Sequence, residues 1–457
     1  MFRIPPVKVV ATLGPSCSDA RVMGEMIRAG ARGFRINTSH GDPDEWASLL
    51  DAALRAEAEA GLRTALIIDL EGPRVRVSHA IEPVRVGEGE KVSFCPEGGQ
   101  GCIQVTDPAL FDVVEEGDSI ILGDGVLTFT VSKVTAAGLE AVSNSPGTIR
   151  PGMGVALKGK DLPLPPVTEK DERAIKFMAG KPFSHVMMSY VRDPQHIKVL
   201  REKLEEHAVS GVEVLAKIET PGGVRNAPQI ALESDGIVVA RGDLGMHYPL
   251  ETMPQIQAKL SQTAVQARKT LVIATELLTS MIQRPTPTRS EITDIYQAAR
   301  EGADALLLTA ETAIGKHPVR AVKWAIKAAR AAAQTTQPPR PQRNGVPERL
   351  ANGLVDLAES IQAPLLVYSK GGRLPKRIAA LKPKTTVIAG VNTTQLERQL
   401  TIRWGITPIH IPAETYTEGL EKLHQKLRTR LAGRTVVLAA WSRHKETFEI
   451  KIKNIKY

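Results

Sequence analysis

Charged residues at the ends of two neighbouring apolar runs could carry out phosphate chemistry. In VLAKIETPGG, Lys217 and Glu219 leave one run on the same face, and in SDGIVVARGDLG, Asp243 leaves the next run. Two carboxylates on adjacent strands suit a hard divalent ion such as Mg2+, which takes oxygen ligands and keeps waters for substrate oxygens. A lysine beside them can neutralise a phosphoryl group in transit. The alternative is a rim of salt bridges with no ligand.

A second group of candidates lies nearer the start of the chain. The segment FRINTSHG places Arg35, Asn37 and Ser39 on alternate positions of an extended stretch, so their side chains point the same way. The arginine could bind a phosphate or a carboxylate through two hydrogen bonds. With Asp69 of IIDLEGP, Asn37 and Ser39 could form an all-oxygen cation pocket. The alternatives are an ordinary turn, and for His40 simple packing against the rim or a nucleotide.

Eight short apolar runs, separated mostly by amphipathic helical segments, must position these residues, because each run ends in polar or charged residues. The runs are 7–13, 33–36, 64–68, 185–188, 212–218, 236–240, 271–274 and 305–308. Continuous runs of this kind are typical of buried parallel strands, and eight β/α units predict a (β/α)8 TIM barrel with its chemistry at the strand ends. An open doubly wound sheet would usually carry a glycine-rich fingerprint after its first strand, which ATLGPSCSD does not supply.

The predicted barrel domain covers residues 1–73 and 158–333. Between its two parts, residues 74–157 change to short strand-like pieces with glycine-rich turns, which predicts an inserted small β-barrel domain that acts as a lid. Residues 334–346 are too rich in proline and glutamine to be helical and predict a linker. Residues 347–457 alternate between strand-like and helical segments, which predicts a C-terminal open α/β sheet domain.

Composition favours an intracellular globular enzyme. No run approaches the roughly 18 apolar residues of a spanning helix, and the first residues lack the pattern of a secretory signal, so we expect a cytoplasmic protein without a membrane partner. Cys17, Cys95 and Cys102 are too few and too scattered for a disulfide framework or a C-x-x-C metal site. The net charge of +9 is spread along the chain, which favours a solvated surface that attracts anionic substrates over nucleic-acid binding.

Eight motifs in order along the predicted barrel resemble pyruvate kinase: KVVATLGPS, FRINTSHGD, IIDLEGP, AKIET, SDGIVVARGDLG, IATELLTSMI, PTPTRSEITD and LLTAETAIGKHP. The resemblance covers nearly the whole chain. It implies the glycolytic transfer of a phosphoryl group from phosphoenolpyruvate to ADP, which gives pyruvate and ATP. It also implies that Arg35 and Lys217 contact the transferring phosphate, and that Glu219 and Asp243 hold Mg2+ or Mn2+.

The same resemblance implies roles for the residues around this centre. The backbone at Gly242 would bind the substrate carboxylate, and Thr275 and Glu311 would help to order the proton delivery that turns enolpyruvate into pyruvate. The residues that would face the nucleotide are Asn37, His40 and Arg76. A monovalent cation, if one is used, would be held by Asn37, Ser39, Asp69 and Leu70.

Departures from the family pattern bear on the cations and the nucleotide. The usual D-T-K-G-P-E motif reads Asp69-Leu70-Glu71-Gly72-Pro73-Arg74, and family members without potassium dependence carry a lysine at the position of Arg74 and a leucine at that of Leu70. We therefore expect Arg74 to supply the positive charge and K+ not to be required. In the lid, Met153 replaces a lysine that would meet nucleotide phosphates, and Arg150 is the candidate to compensate.

Three further expectations concern regulation and alternatives. SKGGRLPKR, residues 369–377, is the counterpart of the family's effector loop and predicts either a phosphosugar site or a solvated basic loop. The resemblance implies an allosteric homotetramer. The alternative functions are a related barrel enzyme with enolate-type lyase or decarboxylase chemistry, and a non-catalytic paralogue that binds metabolites.

Overall fold

The largest unit of the protein is a closed barrel of eight parallel strands, each paired with its neighbours in chain order. The computed structural model describes residues 5–123, 125–342, 345–442 and 447–455. The barrel strands span Lys8–Thr12, Ala31–Asn37, Ala65–Asp69, His185–Met188, Glu213–Ile218, Gly236–Ala240, Thr270–Ala274 and Ala305–Leu308. The predicted TIM barrel is confirmed, and every predicted run lies within about two residues of the strand it anticipated.

Helices surround the barrel and bury the outer faces of its strands, which explains why the strands are apolar on both sides. Several helices begin at an aspartate or threonine whose side chain accepts a hydrogen bond from the first turn, as at Asp42 and Thr288. The main helices span Ala20–Ala29, Pro43–Ala60, Glu169–Met178, Pro194–Glu206, Pro221–Arg225, Ala227–Glu233, Met253–Gln266, Arg289–Arg300 and Pro318–Thr335. Two short helices, Arg241–His247 and Ala310–Ala313, follow the sixth and eighth strands directly.

The insertion between the third and fourth barrel strands is a separate β domain with its own apolar core. Its six-stranded sheet contains, in spatial order, Val155–Leu157, Ser119–Leu122, Leu127–Thr135, Gly138–Ser143, Lys91–Pro96 and Ile103–Val105. The two edges of this sheet are joined through residues 75–78, since Ser78 N donates to Gln104 O at 2.8 Å and Val77 N donates to Met153 O at 2.8 Å. Val84–Val86 and Gly147–Ile149 form a two-stranded ribbon beside it.

The C-terminal part of the chain forms a five-stranded α/β sheet, as predicted. Its strands, in spatial order, are Ile406–His410, Val387–Val391, Leu365–Ser369, Thr435–Ser442 and Thr447–Asn454, of which the last is antiparallel. The accompanying helices are Val346–Ser360, Arg373–Ala380, Thr394–Leu400 and Tyr416–Leu427. Arg343 and Asn344 of the predicted linker, and the last two residues of the predicted C-terminal domain, lie outside the described residues.

The C-terminal sheet domain packs against the end of the barrel where the strands begin, opposite their carboxyl ends. Ile402 belongs to the same apolar cluster as the residues that fill the barrel interior, such as Val10 and Leu215. Ionic contacts surround it. Buried Arg398 pairs with buried Glu57 at 2.6 Å, buried Arg403 pairs with buried Glu213 at 2.8 Å, and buried Lys382 pairs with buried Asp304 at 2.8 Å.

The cysteines differ in their surroundings. Cys95 and Cys102 form a disulfide within the inserted β domain, whereas Cys17 is a buried thiol in the barrel. We expected no disulfide framework from the sequence and did not predict this single bond, which joins the strand Lys91–Pro96 to the residue before the strand Ile103–Val105. None of the helices in the described parts of the chain is long and apolar enough to cross a membrane.

Candidate active site

Most of the predicted site residues converge on one cavity at the carboxyl ends of the barrel strands, which we call the strand-end cavity. Its volume is about 150 Å3. The cavity lies between the barrel and the inserted β domain, which contributes Arg76. The predicted residues that line it are Arg35, Asn37, Ser39, Asp69, Arg74, Arg76, Lys217, Glu219, Asp243 and Thr275.

Buried Arg35 is oriented by two neighbours at the bottom of the cavity. Its Nε atom donates to Asp69 Oδ2 at 2.6 Å, and its Nη1 atom donates to Thr12 Oγ1 at 2.9 Å. Asp69 is fully buried, and its other oxygen, Oδ1, lies 3.5 Å from Lys217 Nζ. Both oxygens of the aspartate therefore face cations of the protein, which holds Arg35 and Lys217 side by side with their positive charges directed at one place.

Lys217 has three polar partners among the described residues that line the cavity. Its Nζ atom lies 2.9 Å from Glu219 Oε1 and donates to Ser189 Oγ at 2.8 Å. Burial by itself would lower the pKa of Lys217, but the charges of Asp69 and Glu219 outweigh it, so the pKa is raised above its ordinary value. The lysine is therefore a permanent positive charge in a site with little solvent, where such a charge acts strongly on a phosphoryl group.

The two carboxylates predicted to hold a divalent ion come from adjacent strand ends and meet at Tyr190. Glu219 Oε2 accepts a hydrogen bond from Tyr190 N at 2.9 Å, and Asp243 Oδ1 accepts one from the Tyr190 hydroxyl at 3.1 Å. Burial and the charge of Asp243 raise the pKa of Tyr190 well above its ordinary value, so the hydroxyl keeps its proton. Arg74 Nη2 lies 3.5 Å from the same Asp243 oxygen.

This pair fits a hard divalent cation by the chemistry of its donors. Burial raises the pKa of Glu219, and the charge of Asp243 adds to that effect although Lys217 opposes it. Two carboxylates that repel each other are stabilised by a cation between them, and Mg2+ is commonly bound by one or two carboxylates together with waters and substrate oxygens. The described residues contain no cluster of three or more histidine, cysteine or acidic side chains suited to a metal, so any cation here would depend on such non-protein ligands.

Thr275 follows the seventh barrel strand in a conformation that its neighbours fix. Its φ angle is 67°, in the left-handed region that favours glycine. Arg241 donates to the carbonyl of Thr275 and forms two hydrogen bonds with Asp294, of 2.7 and 2.6 Å. Gly242 N donates to Thr275 Oγ1 at 3.0 Å, which puts the predicted carboxylate-binding backbone and the predicted proton-handling hydroxyl in direct contact.

Glu311 does not line the cavity. It is buried, and its carboxylate accepts from Leu278 N at 2.9 Å and from Thr309 N at 2.7 Å. Thr309 also donates through its hydroxyl to Glu311 at 3.1 Å and itself lines the cavity. Glu311 thus contacts the site through Thr309.

The predicted monovalent-cation pocket is divided. Asn37, Ser39 and Asp69 line the cavity, but the side chain of Leu70 lies in the barrel's outer core. Leu70 could therefore contribute to such a site only through its main chain, because consecutive residues of an extended chain point to opposite sides. Its carbonyl oxygen accepts a hydrogen bond from Ser189 Oγ at 2.6 Å.

Of three residues predicted to lie near the nucleotide, one lines the strand-end cavity and two do not. Arg76 Nη2 bonds Glu71 Oε1 at 3.1 Å on the wall of the cavity. His40 is exposed, does not line the cavity, and accepts a hydrogen bond from Trp46 Nε1 on its carbonyl at 2.9 Å. Arg150 is exposed in the turn before Met153 and does not line the cavity.

The segment predicted as an effector loop contributes to the interface between domains. Lys376 Nζ lies 2.6 Å from Glu213 Oε1 of the barrel, and Arg377 Nε lies 3.0 Å from Glu348 Oε1. Lys370 Nζ donates to Glu414 O at 2.8 Å. Three of its cations therefore already have partners within the chain.

Ser189, Tyr190 and Arg241 were not among the predicted site residues. Ser189 and Tyr190 follow the fourth barrel strand, so the rule that strand ends carry the chemistry could have found them. Arg241 stands beside the predicted Gly242, but its partner Asp294 lies 53 residues away on the helix Arg289–Arg300, and no local pattern shows that pairing.

Comparisons with known proteins agree with this architecture. Residues 4–322 match the family "Pyruvate kinase, barrel domain", and residues 348–447 match "Pyruvate kinase, alpha/beta domain". A pyruvate kinase of Aeropyrum pernix is 42% identical over 99% of both chains, and one of Pyrobaculum aerophilum is 36% identical over 98% of this chain and 96% of its own. The crystal structure of pyruvate kinase from Pyrobaculum aerophilum superposes with a TM-score of 0.91 at 34% identity and covers 99% of this chain and 100% of that one.

Proposed function

The chain belongs to the pyruvate kinase family, and from that premise we propose that it is the Mg2+-dependent glycolytic enzyme that transfers the phosphoryl group of phosphoenolpyruvate to ADP. The observation that supports this most directly is the grouping of Lys217, Arg35 and the Glu219–Asp243 pair around one cavity. Phosphoryl transfer needs mainly positioning and the neutralisation of charge, and this grouping can provide both.

Lys217 and Arg35 would bind the phosphoryl group and neutralise its negative charge while it passes from the leaving oxygen to the attacking oxygen. Asp69 holds the two cations side by side and directed into the cavity. Glu219 and Asp243 would hold Mg2+ or Mn2+, and the bound ion would supply further positive charge beside the oxygens of the substrate.

The carboxylate of phosphoenolpyruvate would take the N–H of Gly242, which now donates to Thr275 Oγ1. That exchange would free a lone pair of Thr275 Oγ1, whose proton is donated to Ala274 O at 2.6 Å, and the hydroxyl could then take part in ordering proton delivery to the enolpyruvate carbon. Glu311 would act on the same step by orienting Thr309. The nucleotide would lie on the side of Asn37, His40 and Arg76, with Arg150 as the further candidate cation in the inserted domain.

The monovalent cation of the family is proposed to be unnecessary here. Arg74 lies beside Asp243, and both oxygens of Asp69 already face protein cations, so the negative charge of the pocket is balanced within the chain. The family resemblance also supports a cytoplasmic homotetramer with allosteric regulation. Its effector could be a phosphosugar at residues 369–377, for which Arg373 would be the main contact, since Lys370, Lys376 and Arg377 have partners within the chain.

One assay tests the proposed reaction against the alternatives. The protein is incubated with phosphoenolpyruvate, ADP and Mg2+, and pyruvate and ATP are measured together. Equal amounts of the two products are expected. Pyruvate without ATP would indicate the lyase, and neither product would indicate the non-catalytic paralogue. Light scattering of the same preparation measures the oligomer.

A further inference from the structure

Tyr190 contacts both carboxylates of the proposed metal site, which come from two different barrel strands. Its main-chain N–H donates to Glu219 Oε2 at 2.9 Å, and its hydroxyl donates to Asp243 Oδ1 at 3.1 Å. Glu219 follows the fifth strand, and Asp243 lies on the short helix after the sixth. Tyr190 follows the fourth strand, so one residue connects the ends of three consecutive strands.

The surroundings of Tyr190 fix both of its donors. Its φ angle is 54°, in the left-handed region, where a non-glycine residue costs of the order of 1–3 kcal/mol and persists only when its neighbours over-determine it. Gly72 packs against the ring, since a Cβ atom on that glycine would lie 3.0 Å from Tyr190 Cδ2. The unusual backbone directs the N–H towards Glu219, and the close packing directs the hydroxyl towards Asp243.

Each carboxylate also faces a cation of the protein that competes for it. Lys217 Nζ lies 2.9 Å from Glu219 Oε1, and Arg74 Nη2 lies 3.5 Å from Asp243 Oδ1. An aspartate with only Arg74 beside it could turn towards that guanidinium and away from a metal. The Tyr190 hydroxyl and Arg74 both contact Oδ1 of Asp243, so the hydroxyl fixes the carboxylate on this side and a bound ion would take Oδ2.

We propose that Tyr190 is a positioning residue for the divalent cation, and that its hydroxyl keeps Asp243 in the orientation that binds the ion. This inference rests on the proposed function, because it takes Glu219 and Asp243 as the metal ligands. Groups that orient metal ligands typically change metal affinity or activity by 10- to 100-fold when they are removed. The effect is expected on the affinity for the metal, whereas the rate at saturating metal should stay close to that of the wild type.

The test compares Tyr190→Phe with the wild type in direct Mn2+ titrations, with free Mn2+ measured by electron paramagnetic resonance in the absence and in the presence of phosphoenolpyruvate. Phenylalanine keeps the ring and the main-chain N–H and removes only the hydroxyl. We expect Mn2+ to bind about tenfold more weakly, with a matching rise in the Mg2+ concentration needed for half-maximal activity. Tyr248→Phe is the control, because Tyr248 packs against the same barrel core and does not line the strand-end cavity.

A double-mutant cycle separates positioning from a general structural effect. If Tyr190 acts through Asp243, adding Tyr190→Phe to Asp243→Asn should cause little further loss of Mn2+ affinity, whereas independent effects would add. Circular dichroism and thermal unfolding of each variant check the fold.

The possible outcomes separate the role of Tyr190 from the existence of the metal site. Wild-type affinity in Tyr190→Phe, or a lower rate at saturating Mg2+ with unchanged metal affinity, would overturn the role given to Tyr190 and leave the metal site standing. Failure of the wild type to bind Mn2+ in either titration would overturn the proposed metal site and the inference together.

Discussion

Arg74 Nη2 lies 3.5 Å from Asp243 Oδ1, which places a cation of the loop after the third barrel strand against a proposed metal ligand of the sixth. We propose that a fixed guanidinium at this position makes a bound monovalent cation redundant, since its charge is supplied by the chain itself. The pair therefore connects one departure from the family motif to a measurable ion requirement.

The first prediction concerns that requirement. Replacing K+ by an equal concentration of a bulky inert cation should leave the rate of the wild type nearly unchanged. Arg74→Glu puts a carboxylate beside Asp243, so the activity of the variant should fall without K+ and recover as K+ is added. Arg85→Glu, at an exposed position of the inserted domain, should behave as the wild type. A large, strict stimulation of the wild type by K+ would refute the role of Arg74.

The second prediction concerns Lys217. Lys217→Met keeps the length of the side chain but removes the charge, so kcat/KM for phosphoenolpyruvate should fall by about 10^3-fold or more, as when a key stabilising group of a transition state is lost. Circular dichroism should still show the folded protein, whereas thermal unfolding should move to a lower temperature, because buried Asp69 and Glu219 lose a counter-charge. Lys259→Met, on an exposed part of a barrel helix, is the control. Retained activity in Lys217→Met would mean that the lysine has been assigned wrongly.

The third prediction concerns the contact between the barrel and the C-terminal sheet domain. Glu213→Gln leaves Arg403 and Lys376 facing a neutral group, and removing one partner of a buried ion pair typically costs about 3–5 kcal/mol in the free energy of unfolding. The matched control is Glu397→Gln, because Glu397 pairs across the same interface with Arg63, whose side chain is 42% exposed. That control should cost about 0–1 kcal/mol. If chemical denaturation gave the same loss of free energy of unfolding for both variants, Glu213 would not stabilise the interface more than an exposed ion pair does.

The same carboxylate sets a pH dependence. Burial alone would raise the pKa of Glu213. The positive charges beside it, of which Arg403 has the largest effect, outweigh burial and hold the pKa well below its ordinary value. The stability contributed by the ionised carboxylate is therefore present above the ordinary value near 4.5 and is lost as the pH falls through the lower folded value. The difference between the wild type and Glu213→Gln should shrink in that acidic range.

The fourth prediction concerns Lys8, which is buried at the start of the first barrel strand. Burial, together with the charge of Arg32, lowers its pKa from 10.5 to about 7. Between those two values the unfolded chain binds more protons than the folded chain, so the free energy of unfolding should rise with pH in this range. At and below neutral pH the charged lysine destabilises the folded state.

Lys8→Met should remove this destabilisation, because methionine carries no charge. We expect the variant to be more stable than the wild type at pH 7, by a few kcal/mol at most, since one unit of pKa corresponds to about 1.4 kcal/mol. Its free energy of unfolding should also lose much of its rise between pH 7 and pH 10. A variant less stable than the wild type at pH 7, with the slope unchanged, would show that the ammonium group has a stabilising partner.

Much of the fold and about half of the site's organisation could be predicted from the sequence, for a physical reason. Parallel strands buried on both faces require continuous apolar runs, and such runs identified all eight barrel strands. A closed barrel brings its strand ends together, so residues as distant in sequence as Arg35 and Thr275 could be placed at one cavity before any contact was known.

The remainder depended on contacts that no local pattern contains. The Arg398–Glu57 pair joins residues 341 positions apart, and the insertion of Ile402 into the barrel cluster depends on how two domains meet. A motif gives a position along the chain and not the side from which a side chain projects, so it did not show that the side chain of Leu70 lies in the barrel's outer core. Tyr190 was overlooked because its importance lies in bonds to two other strand ends.

The insertion of Ile402 among the barrel's interior residues, with three buried ion pairs around it, limits how the protein can be divided. A fragment ending before the C-terminal domain would leave Glu57, Glu213 and Asp304 without the counter-charges of Arg398, Arg403 and Lys382, and would open an apolar layer to water. We therefore expect the barrel and the C-terminal domain to unfold together rather than to behave as exchangeable modules. The inserted β domain, with an apolar core of its own, is the part of this architecture that recombination could replace.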